Sequence, residues 1–93
     1  MTPAQRHIQR VAQLGCLVCR RLQVVSQAQL HHVAEGSSKR SDFAVVPLCP
    51  EHHVGAAGFH KLGAERFCKL YRVPWEKEEG LLVWLFEDLA KAR

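Results

Sequence analysis

A chain of 93 residues, 47% of them hydrophobic, with a formal net charge of +4 is sized for one domain with a modest core. A core that small commonly needs a metal or a cross-link to hold it. No apolar run approaches the roughly 18 residues of a membrane span, and the opening "MTPAQRHIQRVAQLG" is too polar for a secretion signal, so a cytoplasmic protein with no membrane partner is expected. In that reducing compartment the four cysteines are expected to be free or metal-bound, and six histidines strengthen the metal reading. The basic balance, with a pI near 9.1, is compatible with a polyanionic partner such as nucleic acid.

The pattern of residues 3–14, "PAQRHIQRVAQL", predicts a helix with Thr2 as N-cap and Pro3 in its first position, ended by Gly15. His7 on that helix is expected to face solvent. The "CLVC" turn follows, and residues 28–33 are predicted to form a strand. "AEGSSKRSD" is a loop by composition, and "FAVVPLC" is a second strand in which Pro47 suggests an edge position. Pro50 is placed to begin a helix that "GAAG" at 55–58 weakens or interrupts. A further helix is predicted over 62–71, with Phe67 and Leu70 inward and Cys68 packed beside them. The last helix is predicted from Pro74 to about Ala92, with Leu81, Leu82, Leu85, Phe86 and Leu89 as its apolar stripe and the acids of "EKEE" near its start.

Zinc in a structural site takes four sulfur or nitrogen ligands in a tetrahedron. Cys16 and Cys19 share one spacing, Cys49 and His52 repeat it, and a strand pair separates the two half-sites. These four residues are expected to close a structural zinc site. The site has no open position for water, so it would serve the fold and not the chemistry.

Four histidines around the same unit are left over: His31, His32, His53 and His60. "CLVC", then "LHHV", a polar loop ending in "SDF", "VPLCPEHH" and "GFHKLG" resemble the His-Asn-His (HNH) endonuclease superfamily in its zinc-clamped ββα-metal form. More narrowly, they are similar to the phage and prophage proteins grouped with the Ref recombination-enhancement nuclease, where a "PLC-x-x-HH" box is typical. The resemblance covers residues 16 to about 68. It implies an α+β fold, a small zinc-stabilised ββα-metal domain of the His-Me finger or treble-clef-like kind, with flanking N- and C-terminal helices.

The resemblance further implies a metal-dependent DNA endonuclease in a bacterial host cell, phage or prophage encoded. His31, His53 and His60 would hold a catalytic divalent metal (Mg2+, Mn2+, Ni2+ or Zn2+), and His32 would be the general base. The chain contains no asparagine, and Asp42 in the comparable loop is expected to orient that base. Arg20, Arg21, Lys39 and Arg40 are candidates to hold flanking phosphates of the DNA. A recombinase filament or another phage or host recombination protein is an implied partner.

Two geometric conditions attach to these assignments. Neighbouring strand residues point to opposite faces, so His31 and His32 can serve one site only where the strand ends or is distorted. His53 and His60 would lie about 10.5 Å apart along an unbroken helix, so "VGAAGF" must loop back to bring them together. Two other readings compete with the nuclease. One is a zinc-clamped nucleic-acid-binding module without hydrolysis. The other is a protein-interaction domain that docks through its C-terminal helix, using Trp75 and Trp84.

Overall fold

A computed structural model of the protein describes residues 1–33, 40–73 and 77–92. Its elements run α1 (Pro3–Leu14), α2 (Leu17–Arg21), β1 (Gln29–His32), β2 (Val45–Leu48), α3 (Pro50–His53), α4 (Phe59–Leu70) and α5 (Glu79–Lys91). The fold is α+β, a two-stranded sheet surrounded by helices.

The expected first helix forms over its predicted length. The Thr2 hydroxyl accepts from the Gln5 N–H at 3.1 Å, and the Gln5 side chain accepts from the Thr2 N–H at 2.8 Å. This reciprocal capping box satisfies two donors that the first turn would otherwise leave orphaned. His7 is only partly exposed; its Nε2 lies 3.1 Å from the Phe43 carbonyl oxygen, so it ties α1 to the segment before β2 instead of facing solvent alone. The "CLVC" stretch is not a simple turn. Cys16 stands at the N-cap of the short helix α2, whose Leu17, Val18 and Cys19 are buried.

β1 and β2 pair antiparallel, with Gln29 opposite Leu48, Leu30 opposite Pro47, His31 opposite Val46 and His32 opposite Val45. Pro47 lacks an N–H to donate, and a two-stranded sheet consists of edges, where that loss is tolerated. All four residues of β2 are buried, because α1, α2, α3 and α5 all pack against it. Val11, Leu17, Val45, Leu48, Phe67, Leu81 and Leu85 form the centre of the core, each with no exposed surface.

Helix α4 starts at Phe59, three residues before the predicted start at 62, and passes through a kink at Gly63, where φ is 82°. Its buried stripe is centred on Phe67 and Cys68. Leu70 lies about 110° around the helix from the middle of that stripe and is 58% exposed, contrary to the expectation that it points inward. In α5 the stripe is Leu81, Trp84 and Leu85; Phe86, about 150° away, is 52% exposed. The predicted start of that helix at 74–76 lies outside the described residues, and the helix proper begins at Glu79. No helix among the described residues is long and apolar enough to cross a membrane.

Candidate metal centres

The first turn of α3 carries an adjacent histidine pair, and successive helical residues are rotated by about 100°. His52 and His53 therefore face different neighbours, and each belongs to a different cluster of potential ligands.

His52 joins Cys16, Cys19 and Cys49. Its Nδ1 lies 3.4 Å from Cys16 Sγ, 3.6 Å from Cys19 Sγ and 3.1 Å from Cys49 Sγ, and the Cys19 and Cys49 sulfurs are 3.8 Å apart. A tetrahedral zinc, with Zn–S near 2.3 Å and Zn–N near 2.0–2.1 Å, sets its ligand atoms roughly 3.4–3.8 Å apart. The four residues fit such an ion. Burial pushes the Cys16 thiol up to about 11. At Cys49 burial also resists ionisation, but the His52 backbone N–H and the neighbouring thiols outweigh it, and its pKa falls below the ordinary thiol value. Burial lowers the His52 imidazole, partly offset by Glu51, which favours the neutral ring that a metal requires.

His53 joins His31 and His60, each offering one nitrogen within 4.8 Å of the others. The Nε2 atoms of His53 and His60 are 3.0 Å apart. The expected loop-back is therefore present. It depends on Gly58, where an added Cβ would lie 2.8 Å from the carbonyl carbon and oxygen of His53 and 2.9 Å from the Glu51 carbonyl oxygen. All three are backbone atoms with little room to move. Gly58→Ala is expected to push the start of α4 away from α3 at a cost of about 1–3 kcal/mol. Elemental analysis should then show loss of any metal that the His31–His53–His60 cluster holds, with any metal at the cysteine cluster retained.

Two residues that the sequence did not single out orient this cluster. Gln29 Oε1 lies 2.7 Å from His53 Nδ1, where it accepts the ring N–H and leaves Nε2 with its lone pair facing His60. Glu78 Oε2 lies 2.7 Å from His31 Nε2, with both side chains buried. Burial holds the His31 imidazole below its ordinary range, against the pull of Glu78; burial does the same to His53, reinforced by His60 and His31 beside it. Two of the three rings thus favour the neutral, ligating form at neutral pH.

His32 belongs to neither cluster. It is the last residue of β1, so the strand ends where the two faces would otherwise diverge, and its Nε2 lies 3.1 Å from Asp42 Oδ1. Of the four candidate cations, Arg20 bridges to Asp88 at 3.2 Å. Arg21 donates to the Tyr71 carbonyl, and its guanidinium lies 4.0 Å above the Trp84 ring. Both arginines thereby tie α2 to the C-terminal half and line a cleft of ≈ 430 Å³ with Arg72, Glu87 and Lys91, away from the histidines. Arg40 is exposed, and Lys39 lies outside the described residues.

A two-stranded sheet flanked by two ligand sets, one of three thiols and an imidazole and one of three imidazoles, defines a small α+β protein that could hold a metal at each. The chain belongs to the family described as recombination enhancement, RecA-dependent nuclease, which matches residues 2–90. That match takes in α1 and nearly all of α5, which the motif resemblance left out. No curated protein and no solved structure matched the chain.

Proposed function

We propose that the protein is a metal-dependent endonuclease of the HNH type that hydrolyses DNA phosphodiester bonds. The observation that carries this reading is the pairing of a three-histidine cluster with a separate histidine, His32, seated on a carboxylate at the end of the same strand. Membership of a RecA-dependent nuclease family supports it.

In this reading Cys16, Cys19, Cys49 and His52 hold a structural zinc that clamps α2 to the start of α3. His31, His53 and His60 hold the catalytic divalent metal. Three imidazoles suit Zn2+ or Ni2+ better than Mg2+ or Mn2+, which prefer oxygen ligands. When bound, that metal would neutralise charge building on the phosphate and the leaving oxygen. Asp42 accepts the Nε2–H of His32 and leaves Nδ1 free to take a proton from the attacking water. Lys39 and Arg40, shortly before Asp42 in the chain, hold flanking phosphates as sequence-independent affinity. Arg20 and Arg21, already engaged with Asp88 and Trp84, add such contact only at a distance from the histidines. The whole chain acts as one domain in the cytoplasm, on DNA carrying a RecA-type recombinase filament.

Plasmid and single-stranded DNA, each with and without a recombinase filament, are the test substrates, in the presence of Mg2+, Mn2+, Ni2+ or Zn2+. Wild-type protein is expected to carry two metals per chain and to nick, and His53→Ala to lose one metal and the nicking together. Two bound metals without cleavage of any of these substrates would leave a binding module and sink the nuclease.

A further inference from the structure

We propose that Glu78 is the positioning residue of the three-histidine site: by accepting the Nε2–H of His31 it makes Nδ1 the atom that donates to the metal. The proposal rests on reading His31, His53 and His60 as a metal site, and it adds a residue that no motif of the chain marks.

The geometry is specific. Glu78 Oε2 and His31 Nε2 are 2.7 Å apart across 47 residues of chain, with side-chain exposures of 10% and 4%. A neutral imidazole has one N–H and one lone pair, so a carboxylate fixed on Nε2 decides the tautomer and leaves the lone pair on Nδ1. The backbone that carries the carboxylate is itself held firmly. The Cys68 thiol donates to the Lys77 carbonyl at 3.6 Å, the Gly80 N–H donates to the same carbonyl at 3.0 Å, and the Leu81 N–H donates to the Glu78 carbonyl at 3.0 Å. Gly80 and Leu81 are buried. The backbone around Glu78 is thus anchored to α4 on one side and to the core on the other.

A purely structural role explains this pair poorly. Burying a carboxylate against a histidine costs desolvation that an apolar pair of similar volume would avoid, so such pairs are weak contributors to stability. Histidines that ligate a metal, by contrast, nearly always give their other N–H to a carboxylate, a backbone carbonyl or water, which fixes the ring and raises its basicity. His53 shows the same arrangement with Gln29 at 2.7 Å. The two acceptors hold two of the three rings from behind, and the charged one serves the most deeply buried ring.

The test is a titration of protein carrying one zinc at its cysteine cluster with Co2+ alone, followed by the visible absorption of the histidine-bound ion. Glu78→Gln keeps the size and an acceptor oxygen but removes the charge. It is expected to weaken Co2+ binding at the histidines by about 10–100-fold and to shift the visible bands, with zinc content and helical circular dichroism unchanged. Glu78→Ala should weaken binding further, and if it does not fold, Glu78→Gln alone decides. Wild-type affinity and an unchanged spectrum in Glu78→Gln overturn the proposal, even if thermal stability falls, since that outcome leaves Glu78 a structural residue. Failure of the wild type to take up Co2+ at all, with His53→Ala indistinguishable from it, overturns the metal-site reading as well.

Discussion

His32→Ala is expected to lower the rate of metal-dependent DNA cleavage by about 10²–10⁴-fold, the usual contribution of a positioned general base, while both metals and the fold are retained. His32 is only partly buried, ends its strand, and belongs to neither ligand cluster. Its removal leaves no cavity in the core and no vacancy in a coordination shell. The expected pattern is therefore a loss in kcat with DNA affinity close to that of the wild type. Asp42→Ala should reduce the rate less, because it frees the ring without removing the proton acceptor. Gel-based nicking under single-turnover conditions, beside elemental analysis of the same preparations, measures all of these. A His32→Ala variant that cleaves at the wild-type rate would assign the base to another group.

Cys49→Ser is expected to have the largest effect on stability: loss of one zinc and cooperative unfolding at ambient temperature. Structural zinc binding is worth about 10–16 kcal/mol in small zinc domains, comparable to or above the roughly 5–15 kcal/mol by which a whole domain is stable. The four residues come from the start of α2 and the start of α3, so an ion held there would join segments whose remaining link is the small sheet and the core beneath it. Stripping zinc from the wild type with a strong chelator should produce the same loss of far-ultraviolet circular dichroism, reversed by adding zinc. The pH dependence has a definite sign. Zinc must displace a proton from the buried Cys16 thiol, held up at about 11, so affinity rises with pH and zinc is released on acidification. Burial lowers the His52 imidazole, so its protonation opposes zinc binding less than that of the thiols does.

Much of this protein is legible in local stretches of chain. A threonine, a proline and a glycine mark α1, because capping and helix termination act over a turn or two. The repeated three-residue spacing of Cys16 with Cys19 and of Cys49 with His52 marks the clamp, because one helical turn presents two ligands to one ion. The doubled histidine at 52 and 53 divides between two clusters, as a rotation of about 100° per residue requires. Less legible was the start of α4. Gly55 and Gly58 weaken a helix by propensity, yet Gly58 allows the close approach that seats His60 against His53.

What the sequence determined by itself is the set of chemical groups and their local pairing: three thiols and a histidine at helical spacing, and histidines enough for a second cluster. What only the tertiary structure decided is which distant side chains fix the orientation of those groups. Glu78 stands in the run "EKEE", where any acid reads as a favourable charge near a helix N-terminus. Its burial against His31, 47 residues away in sequence, follows from the packing of α5 on β2. Gln29 reads as an exposed strand residue and becomes the acceptor behind His53 only once α3 folds back over β1. The physical reason is range: capping, helical spacing and rotation are set by a few consecutive bonds, whereas the acceptor behind a ring is set by where hydrophobic burial brings remote segments to rest.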